Sequence, residues 1–418
     1  MNQNGAVEIP VGESGATGQR RAVTLVAICS LAYFADGLVH SILGPLAPAI
    51  ARSLQLSKAE LGPVFSANLA GQCIGLVLIP ALAGRYGHRR LIVASLASFG
   101  VAQTLSGFAD GQRTLIILRV LTGIFVGGTL PSCLALVAGG VRPERRGTAI
   151  SGLFTGYALG AILSGVVGSL FSDPDSWRLA MVVVGAICLA TTGLAWAFLV
   201  EPQAMPVDTG SGTPRGLALA LFSRNYLLGT LMLWVTFICM LTINYCLGSW
   251  LPILLTDVGR SKALAALSIS IFTAGGLVST VTVGPLMDRF GVQRILVGFL
   301  IVSIAGLFAI GQALQAAPLP LLILLLVVTG FFNLGSYGGV NVVLANFYPG
   351  PMRAMGIGCT KSVGRVGTVI APTLIGLGLN AGMAETTMMS VFALPAAVTT
   401  VAVLIIGART ASSSHDDR

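Results

Sequence analysis

The sequence GPLMDRFGVQR at residues 284–294 places charged residues between two long apolar runs. The segment PALAGRYGHRR at residues 80–90 lies 204 positions earlier, also between apolar runs, and shares its Arg-aromatic-Gly centre. A second pair of segments, RRGTAISG and MRAMGIG, aligns Arg146 with Arg353 at an offset of 207. Similar segments at a nearly constant offset indicate an internal duplication of about 200 residues.

The composition excludes an ordinary soluble protein. Of the 418 residues, 55% are hydrophobic and 9% are charged, whereas a soluble globular chain has about 25% charged residues. Apolar runs long enough to cross a bilayer recur along the chain. We therefore predict an all-α membrane protein whose twelve transmembrane helices form two six-helix parallel repeats. The predicted spans are 22–50, 57–83, 91–109, 113–139, 147–171, 178–200, 225–255, 262–287, 294–314, 318–347, 354–380 and 386–407.

The longest polar break divides the chain into two halves. Residues 201–224 contain EPQAMPVDTGSGTPRG, which is rich in Pro, Gly and Ser and is typical of a linker. The first twenty residues are polar, and the first span contains Asp36, so we expect no cleaved signal peptide. The predicted organisation is an N-terminal cytoplasmic tail 1–21, bundles 22–200 and 225–407, the cytoplasmic linker 201–224 and a C-terminal cytoplasmic tail 408–418.

The distribution of basic residues predicts the orientation. Fifteen of the 24 Lys and Arg residues lie on the side that holds both termini, and six lie on the opposite side. The positive-inside rule therefore predicts cytoplasmic termini in a multi-pass bacterial inner-membrane protein. The same rule explains the net charge of +9 without nucleic acid.

Enzymatic motifs are absent from the sequence. The seven cysteines all lie in apolar runs without CxxC spacing, so we expect neither disulfides nor a metal site. No Gly-x-Ser-x-Gly elbow and no pair of catalytic carboxylates occur. We therefore expect neither enzymatic activity nor a cofactor.

The repeated loop resembles the signature of the major facilitator superfamily. The pattern is intact in the second copy, whereas in the first copy Pro80 and Gly84 replace its Gly and Asp. The resemblance implies the major facilitator fold, and such loops are expected to act as a charge latch between conformations. The predicted latch residues are Arg85, Gly87, Arg89, Arg90, Asp288, Arg289, Gly291, Arg294 and Arg353.

Within that superfamily the chain resembles the aromatic acid:proton symporters from about residue 22 to 407. The similarity is carried by DGLVHS from Asp36, RVLTGIFVGGTLPSCLAL from Arg119, SWLP at 249–252 and YPGPMRAMGIGCTKSVGRVGTVIAP from Tyr348. Relatives carry acids where this chain has Val39 and Gly139. The resemblance implies proton-coupled uptake and favours a monomer.

Three residues are candidates for proton coupling. Asp36 is the only acid deep in a span, and His40 follows one helical turn later on the same face. Asp36 lies about 21 Å from the inner end of its span and Arg119 about 9 Å from the outer end, which are similar depths. We therefore predict an Asp36–Arg119 ion pair that protonation releases. The alternatives are a structural lock between two helices and, for His40, a packing histidine.

The candidate substrate cations lie on the eleventh span. Lys361 and Arg365 share one helix face, and no acid lies within a span of the C-terminal half, so a substrate carboxylate is expected to neutralise them. The family resemblance places a critical arginine at Arg365, whereas Lys361 alternatively extends to lipid headgroups.

Polar and aromatic residues at helical spacing on further spans are expected to recognise a planar substrate, with interhelical hydrogen bonding as the alternative. Trp250 is expected to be an aromatic-belt anchor instead. The remaining predicted substrate residues are Asn68, Gln72, Tyr157, Asn244, Tyr245, Asn333, Tyr337 and Asn341.

These features together predict a secondary active transporter. We expect alternating access by two six-helix halves and uptake of a small aromatic or related monocarboxylate with one proton. The alternative is proton-coupled efflux of drugs or weak organic acids. A membrane receptor or scaffold is the rival class, and the short loops leave it little mass outside the bilayer.

Overall fold

The computed structural model describes residues 16–142, 145–171, 173–200, 221–224 and 226–416, and the residues described contain helices and no strand. Most of the predicted linker and the first fifteen residues lie outside this part of the chain. The helices are α1 (Ala16–Ser41), α2 (Leu43–Ser53), α3 (Lys58–Ala81), α4 (Ala83–Tyr86), α5 (His88–Ser106), α6 (Gln112–Gly140), α7 (Arg146–Leu170), α8 (Trp177–Phe198), α9 (Leu227–Asp257), α10 (Lys262–Phe290), α11 (Val292–Ala316), α12 (Leu319–Phe347), α13 (Gly350–Asn380), α14 (Glu385–Val391) and α15 (Ala393–Asp416).

Helices extend into both predicted tails. Helix α1 begins at Ala16, inside the predicted tail 1–21, and α15 continues to Asp416, through most of the predicted tail 408–418. Eleven segments of the described chain are long and apolar enough to span a membrane. The predicted span 91–109 corresponds to α5, which is not among the eleven because it opens with His88, Arg89 and Arg90. Helix α5 packs between α6 and α8.

Two of the predicted spans contain a break that a proline explains. The first span is divided between Ser41 and Leu43, and Pro45 lacks the N–H group that would bond the Ser41 carbonyl. The last span is divided at Phe392, where Pro395 stands in the same relation to Val391. A proline four residues after the last helical carbonyl therefore accounts for both breaks.

Contacts between the halves are confined to a few helix pairs. Within the first half α3 packs on α6 and α1 packs on α7, whereas between the halves α3 packs on α13, α7 on α10 and α2 on α9. Glycines allow close approach: a Cβ atom at Gly44 would overlap the Gly248 carbonyl, and one at Gly62 would meet the backbone of Thr373. The halves therefore touch backbone to backbone near one end of the bundle.

The end of the molecule away from the termini is closed by charged groups. Lys58 Nζ lies 2.8 Å from Asp257 Oδ2 and 3.1 Å from Glu385 Oε1. Lys262 Nζ lies 3.4 Å from Asp173 Oδ1. Each of these ion pairs joins one half to the other. We name this group of five charged residues the outer gate, because the orientation predicted from the basic residues would place it on the outer side.

Trp250 belongs to the same closed end, and its predicted role as a membrane-surface anchor is wrong. Its side chain is fully buried, and its ring lies 5.3 Å from that of Phe65 in the other half. Ser66 and Thr373 form a 3.0 Å hydrogen bond nearby. The tryptophan therefore packs between the halves instead of facing lipid.

The two signature loops have the same geometry. Gly87 and Gly291 each have a positive φ, 78° and 91°, and each directly precedes a helix. Arg89 Nη2 donates to the Trp196 carbonyl at 2.7 Å, and Gln293 Nε2 donates to the Val403 carbonyl at 2.6 Å. Both bonds attach a loop to the last helix of its own half, which is consistent with the duplication read from the sequence.

Most of the predicted latch charges that the structure describes are exposed in this conformation. Asp288 forms no ion pair with a described residue, and the Arg353 side chain lies outside the described residues. The exposed basic residues of the two loops are Arg85, Arg90, Arg289 and Arg294.

Candidate functional site

One face of α1 carries three polar residues into the middle of the bundle. Tyr33, Asp36 and His40 are spaced by three and four residues, so their side chains point from the same side of the helix. Tyr33 and Asp36 are 7% and 5% exposed. In the part of the chain that is described, Asp36 makes no hydrogen bond or ion pair, which leaves a carboxyl group available at mid-depth.

A hydrogen-bond chain connects His40 to the other half of the molecule. Gln72 Nε2 lies 2.8 Å from His40 Nδ1, and Asn68 Nδ2 lies 3.4 Å from the same ring atom. On its other side, Gln72 Oε1 accepts a 2.9 Å hydrogen bond from Arg365 Nη1. Residues of α1, α3 and α13 are therefore linked in sequence across the interface between the halves.

The two cations of α13 differ in their partners. Arg365 donates to Gln72, whereas Lys361 forms no hydrogen bond or ion pair with a described residue. Both side chains are half-buried. Arg365 lies within coulombic range of Asp36, His40 and Lys361. The geometry thus places two cations close together opposite one buried acid. One positive charge is left over, and a bound anion would neutralise it.

Aromatic rings surround these polar groups. The Tyr33 ring lies 5.0 Å from that of Tyr157, and the His40 ring lies 4.7 Å from that of Tyr245 in an edge-to-face arrangement. Tyr337 contacts Phe237 edge-to-face at 6.2 Å. Aromatic rings with phenolic hydroxyls suit a planar ligand that stacks and accepts hydrogen bonds.

The ion pair predicted between Asp36 and Arg119 is absent from this conformation. Arg119 is fully buried, and its Nη2 donates to Gln103 Oε1 at 2.6 Å and to Ser106 Oγ at 2.9 Å. Counting residues along two helices gave similar depths for the two groups, but it did not specify the direction in which each side chain points. Arg119 points toward α5, so it holds α5 and α6 together.

Arg119 still lies beside the site. With His40, Asn68 and Tyr245 it lines a cavity of about 20 Å³, which is enough for one water molecule. The structure therefore separates the two groups that the sequence had paired, and His40 shares the cavity with Arg119.

The predicted amides fall into three groups. Asn68 and Gln72 belong to the His40 chain, whereas Asn333 donates to Ser303 Oγ at 3.1 Å between α11 and α12 and thus joins helices. Asn244 and Asn341 each donate to a carbonyl of their own helix four residues earlier.

Sequence reasoning missed Tyr33, Gln103 and Ser106. The signal for Tyr33 was its spacing of three residues from Asp36 on the same helix face. No comparable signal marked Gln103 and Ser106, because only the structure shows where the Arg119 side chain points.

A metal or disulfide has no basis among the described residues. They contain no group of three or more His, Cys, Asp or Glu side chains suited to a metal ion. All seven cysteines are free.

The profile of the Major Facilitator Superfamily matches residues 29–269 and 233–417. The chain belongs to this superfamily. Its members are transporters, so the chain is a transporter and not an enzyme, as the sequence predicted.

Curated relatives include the 4-hydroxybenzoate transporter PcaK of Pseudomonas aeruginosa, with 33% identity over 92% of each chain. The 3-(3-hydroxy-phenyl)propionate transporter of Escherichia coli is 30% identical and is matched over 93% of this chain and 95% of its own. These relatives confirm the resemblance to aromatic acid symporters.

Solved structures of superfamily members have the same fold. A bacterial homologue of the human lysosomal transporter Spinster, in an inward-facing and occupied conformation, matches with a TM-score of 0.76 and 16% identity, over 93% of this chain and 96% of its own. A D-xylose-proton symporter matches with a TM-score of 0.72 and 17% identity, over 92% and 97%. At this identity the likeness concerns the fold alone.

Proposed function

We propose that this protein imports a small aromatic or related monocarboxylate together with one proton, across the bacterial inner membrane. The observation that carries the proposal is Arg365, which donates to Gln72 of the other half near the buried Asp36, with Lys361 one turn earlier on the same helix. Relatives at about one-third identity are named as transporters of hydroxylated aromatic acids, which supports this substrate class.

The architecture proposed for this activity has twelve transmembrane helices in two parallel six-helix repeats, with α5 as the twelfth span. Lys58 and Lys262 support the duplication, because each follows a helix-capping serine and the two lie 204 residues apart. The bundles are 22–200 and 225–407, joined by the linker 201–224, and the protein acts as a monomer in the bilayer.

The conformation is inward-facing if both termini are cytoplasmic, as the charge distribution indicates. Between described residues, the side-chain hydrogen bonds and ion pairs that join the halves lie at the outer gate or at mid-depth. A carrier closed on the outside and open inside releases its substrate to the cytoplasm.

In the proposed site Arg365 binds the substrate carboxylate and Lys361 adds positive charge. Tyr33, Tyr157, Tyr245 and Tyr337 contact the aromatic ring, and Asn244 and Asn341 supply further amides. Asp36 and His40 carry the proton. Asn333 and Arg119 support neighbouring helices, and the signature loops form the latch when the inner side closes.

One proton makes the cycle electrically neutral. Moving a univalent anion into a negative interior costs about 2.3 kcal/mol per 100 mV, and one accompanying proton removes that cost. Asp36 is the only acid deep in a predicted span, so a single proton per substrate is expected.

Uptake into proteoliposomes tests the proposal. Labelled 4-hydroxybenzoate, benzoate, 3-hydroxyphenylpropionate and hexanoate are supplied with and without an inward proton gradient. We expect gradient-driven accumulation of at least one aromatic acid and little effect of membrane potential at fixed pH. Failure of every acid to move, together with proton-driven exit of preloaded neutral or cationic compounds, would replace this function with efflux.

A further inference from the structure

In the hydrogen-bond chain His40–Gln72–Arg365, the arginine determines which atoms donate and which accept. An arginine guanidinium has only donors, so the atom of Gln72 that faces Arg365 at 2.9 Å is the amide oxygen. The amide nitrogen then faces His40 Nδ1 at 2.8 Å. Because that nitrogen donates, Nδ1 must offer a lone pair. His40 is therefore neutral in this state, with its proton on Nε2.

A proton on Nδ1 is incompatible with this arrangement. It would set an N–H of the imidazolium against the N–H of Gln72 at hydrogen-bond distance. The contact is restored when the Gln72 amide turns by half a rotation and presents its oxygen to His40. The same rotation points the amide NH₂ group at Arg365, donor against donor, and so breaks the bond that holds the guanidinium.

Asn68 provides independent support for a second state. Its Nδ2 lies 3.4 Å from the same Nδ1 atom, and its Oδ1 is buried without a hydrogen-bond partner. A buried acceptor without a partner is unfavourable in the present state. When His40 is protonated, a turned Asn68 amide presents Oδ1 to the imidazolium as a second hydrogen-bond acceptor.

The ionisable groups around His40 come from four helices. Asp36 lies one turn earlier on α1, Tyr157 on α7 and Tyr245 on α9 contact the ring, and Arg119 on α6 lines the same cavity. With Arg365 beyond Gln72, two cations oppose an imidazolium in the empty site. An anion on Arg365 removes part of that opposition, so carboxylate and proton favour each other's binding.

We propose that Gln72 is a two-position switch that couples the proton to the substrate. In one orientation it ties Arg365 to a neutral His40, and in the other it releases Arg365 for a carboxylate while it accepts a hydrogen bond from protonated His40. This inference rests on the proposed function and deepens it. Gln72 is thus a positioning residue, not a substrate ligand. The switch also explains how a chain with Val39 in place of a second acid couples the proton.

The pH dependence of binding tests the switch. The dissociation constant of 4-hydroxybenzoate is measured from pH 5.5 to 8.5 for the purified wild type, Gln72→Met and the control Gln112→Met. Gln112 is a partly exposed amide that donates to the Glu60 carbonyl at the start of α6. For the wild type and the control we expect binding to weaken by about tenfold per pH unit above the pKa of the coupled proton site.

The expected sign for Gln72→Met is unusual for a change inside a binding site. Without the amide, Arg365 has no competitor at high pH, so binding at pH 8.5 should tighten by about threefold or more and the slope should fall to about a third of the wild-type value. A substrate ligand or a merely structural residue would give weaker binding with the wild-type slope, and that result would overturn the inference.

Nitrogen NMR of the histidines tests the same idea without a variant of Gln72. The chain has three histidines, and the signal lost in His40→Gln identifies His40. At pH 7 we expect Nδ1 of His40 to be unprotonated without ligand and protonated with saturating 4-hydroxybenzoate. An Nδ1 that stays unprotonated with ligand bound would overturn the switch. If the wild type binds no acid of the uptake panel, the proposed function fails and the switch fails with it.

Discussion

Helices α7 and α13 are aligned by the 207-residue offset, but they carry different chemistry at the same depth. At the positions that correspond to Lys361 and Arg365 of α13, α7 has Phe154 and Ala158. The Phe154 ring packs edge-to-face on Tyr33 at 5.7 Å. At these aligned positions α7 therefore supplies an aromatic ring, whereas α13 supplies positive charge.

The residues proposed to carry the proton lie in the first half, whereas the two cations lie in the second half. Asp36 and His40 both lie on α1 of the first half, and no acid lies within a predicted span of the second half. The charged and titratable groups of the proposed site are therefore divided between the two halves of the chain. A carboxylate ligand should accordingly direct its charged end toward α13 and its ring toward α1 and α7.

Removal of Arg365 is expected to have the largest effect. For Arg365→Ala we expect uptake of the preferred aromatic acid to fall by about 100-fold or more, since removing one partner of a buried charged hydrogen bond costs about 2–5 kcal/mol. Initial uptake rates in proteoliposomes check this. Arg113→Ala, which removes an exposed cation at the start of α6, is the matched control.

Retention of wild-type uptake by Arg365→Ala would contradict the division of charge between the halves. Arg365→Lys sharpens the result, because it keeps the charge but loses the planar geometry that binds a carboxylate through two bonds. We expect this variant to keep measurable uptake at a reduced rate.

Loss of the buried acid should affect coupling more than binding. A gradient of two pH units can drive accumulation of up to about 100-fold for one proton per substrate. For Asp36→Asn we expect the ratio of inside to outside substrate concentration to fall to about one. Exchange of labelled for unlabelled substrate without a gradient should persist. The matched control is Asp110→Asn, which changes an exposed loop acid. Undiminished accumulation in Asp36→Asn would move proton coupling to His40 alone.

The features that the sequence predicted well are those that depend on order along the chain. Apolar runs predicted the helices, and i,i+4 spacing placed Asp36 beside His40 and Asn68 beside Gln72. These arguments succeed because helix geometry alone fixes which side chains share a face.

The features that the sequence did not predict depend on rotation of one helix against another. The pairing of Arg119 with Gln103, the burial of Trp250 between the halves and the bond from Gln72 to Arg365 all join residues from different helices. Depth along a helix follows from counting residues, but the azimuth of a side chain follows only from tertiary packing. The outer gate was missed for the same reason, although SKA occurs at both 57–59 and 261–263.

The two lysines of the outer gate can be compared with each other, and we expect smaller effects from their removal than from the changes above. Lys58 has two carboxylate partners that are 28% and 24% exposed, whereas Lys262 has one partner, which is 80% exposed. Partly buried pairs contribute about 1 kcal/mol and exposed pairs less. We expect Lys58→Ala to raise the outward-open population by about fivefold and Lys262→Ala by about twofold or less.

Labelling from outside the cell measures this population. Ser249 lines the cavity beside His40 and Tyr245, so Ser249→Cys should react with an impermeant maleimide only when the gate opens. Lys58→Ala and Lys262→Ala variants that keep Ser249 measure the background labelling of the native cysteines. Equal labelling in the two lysine variants would show that burial of the partners does not distinguish the two ends of the gate.

The smallest effect is expected in the signature loops, where the halves should behave alike. Gly291 has a positive φ, and a Cβ atom there would meet no atom within 4 Å, so the cost of Gly291→Ala is confined to the backbone, about 1–3 kcal/mol. Gly284 of the same motif lies inside α10, also without neighbours, and Gly284→Ala should leave stability unchanged or raise it slightly.

Thermal unfolding in detergent compares these variants with Gly87→Ala, which has the same backbone geometry in the first copy. We expect Gly87→Ala and Gly291→Ala to lower the midpoint by similar amounts, about 2–6 °C. The first copy lost its aspartate at Gly84 but kept its turn, so equal losses would mean that the duplicated backbone is maintained for folding while the charges diverged. A loss confined to Gly291→Ala would mean that the turn is maintained only where Asp288 still accompanies it.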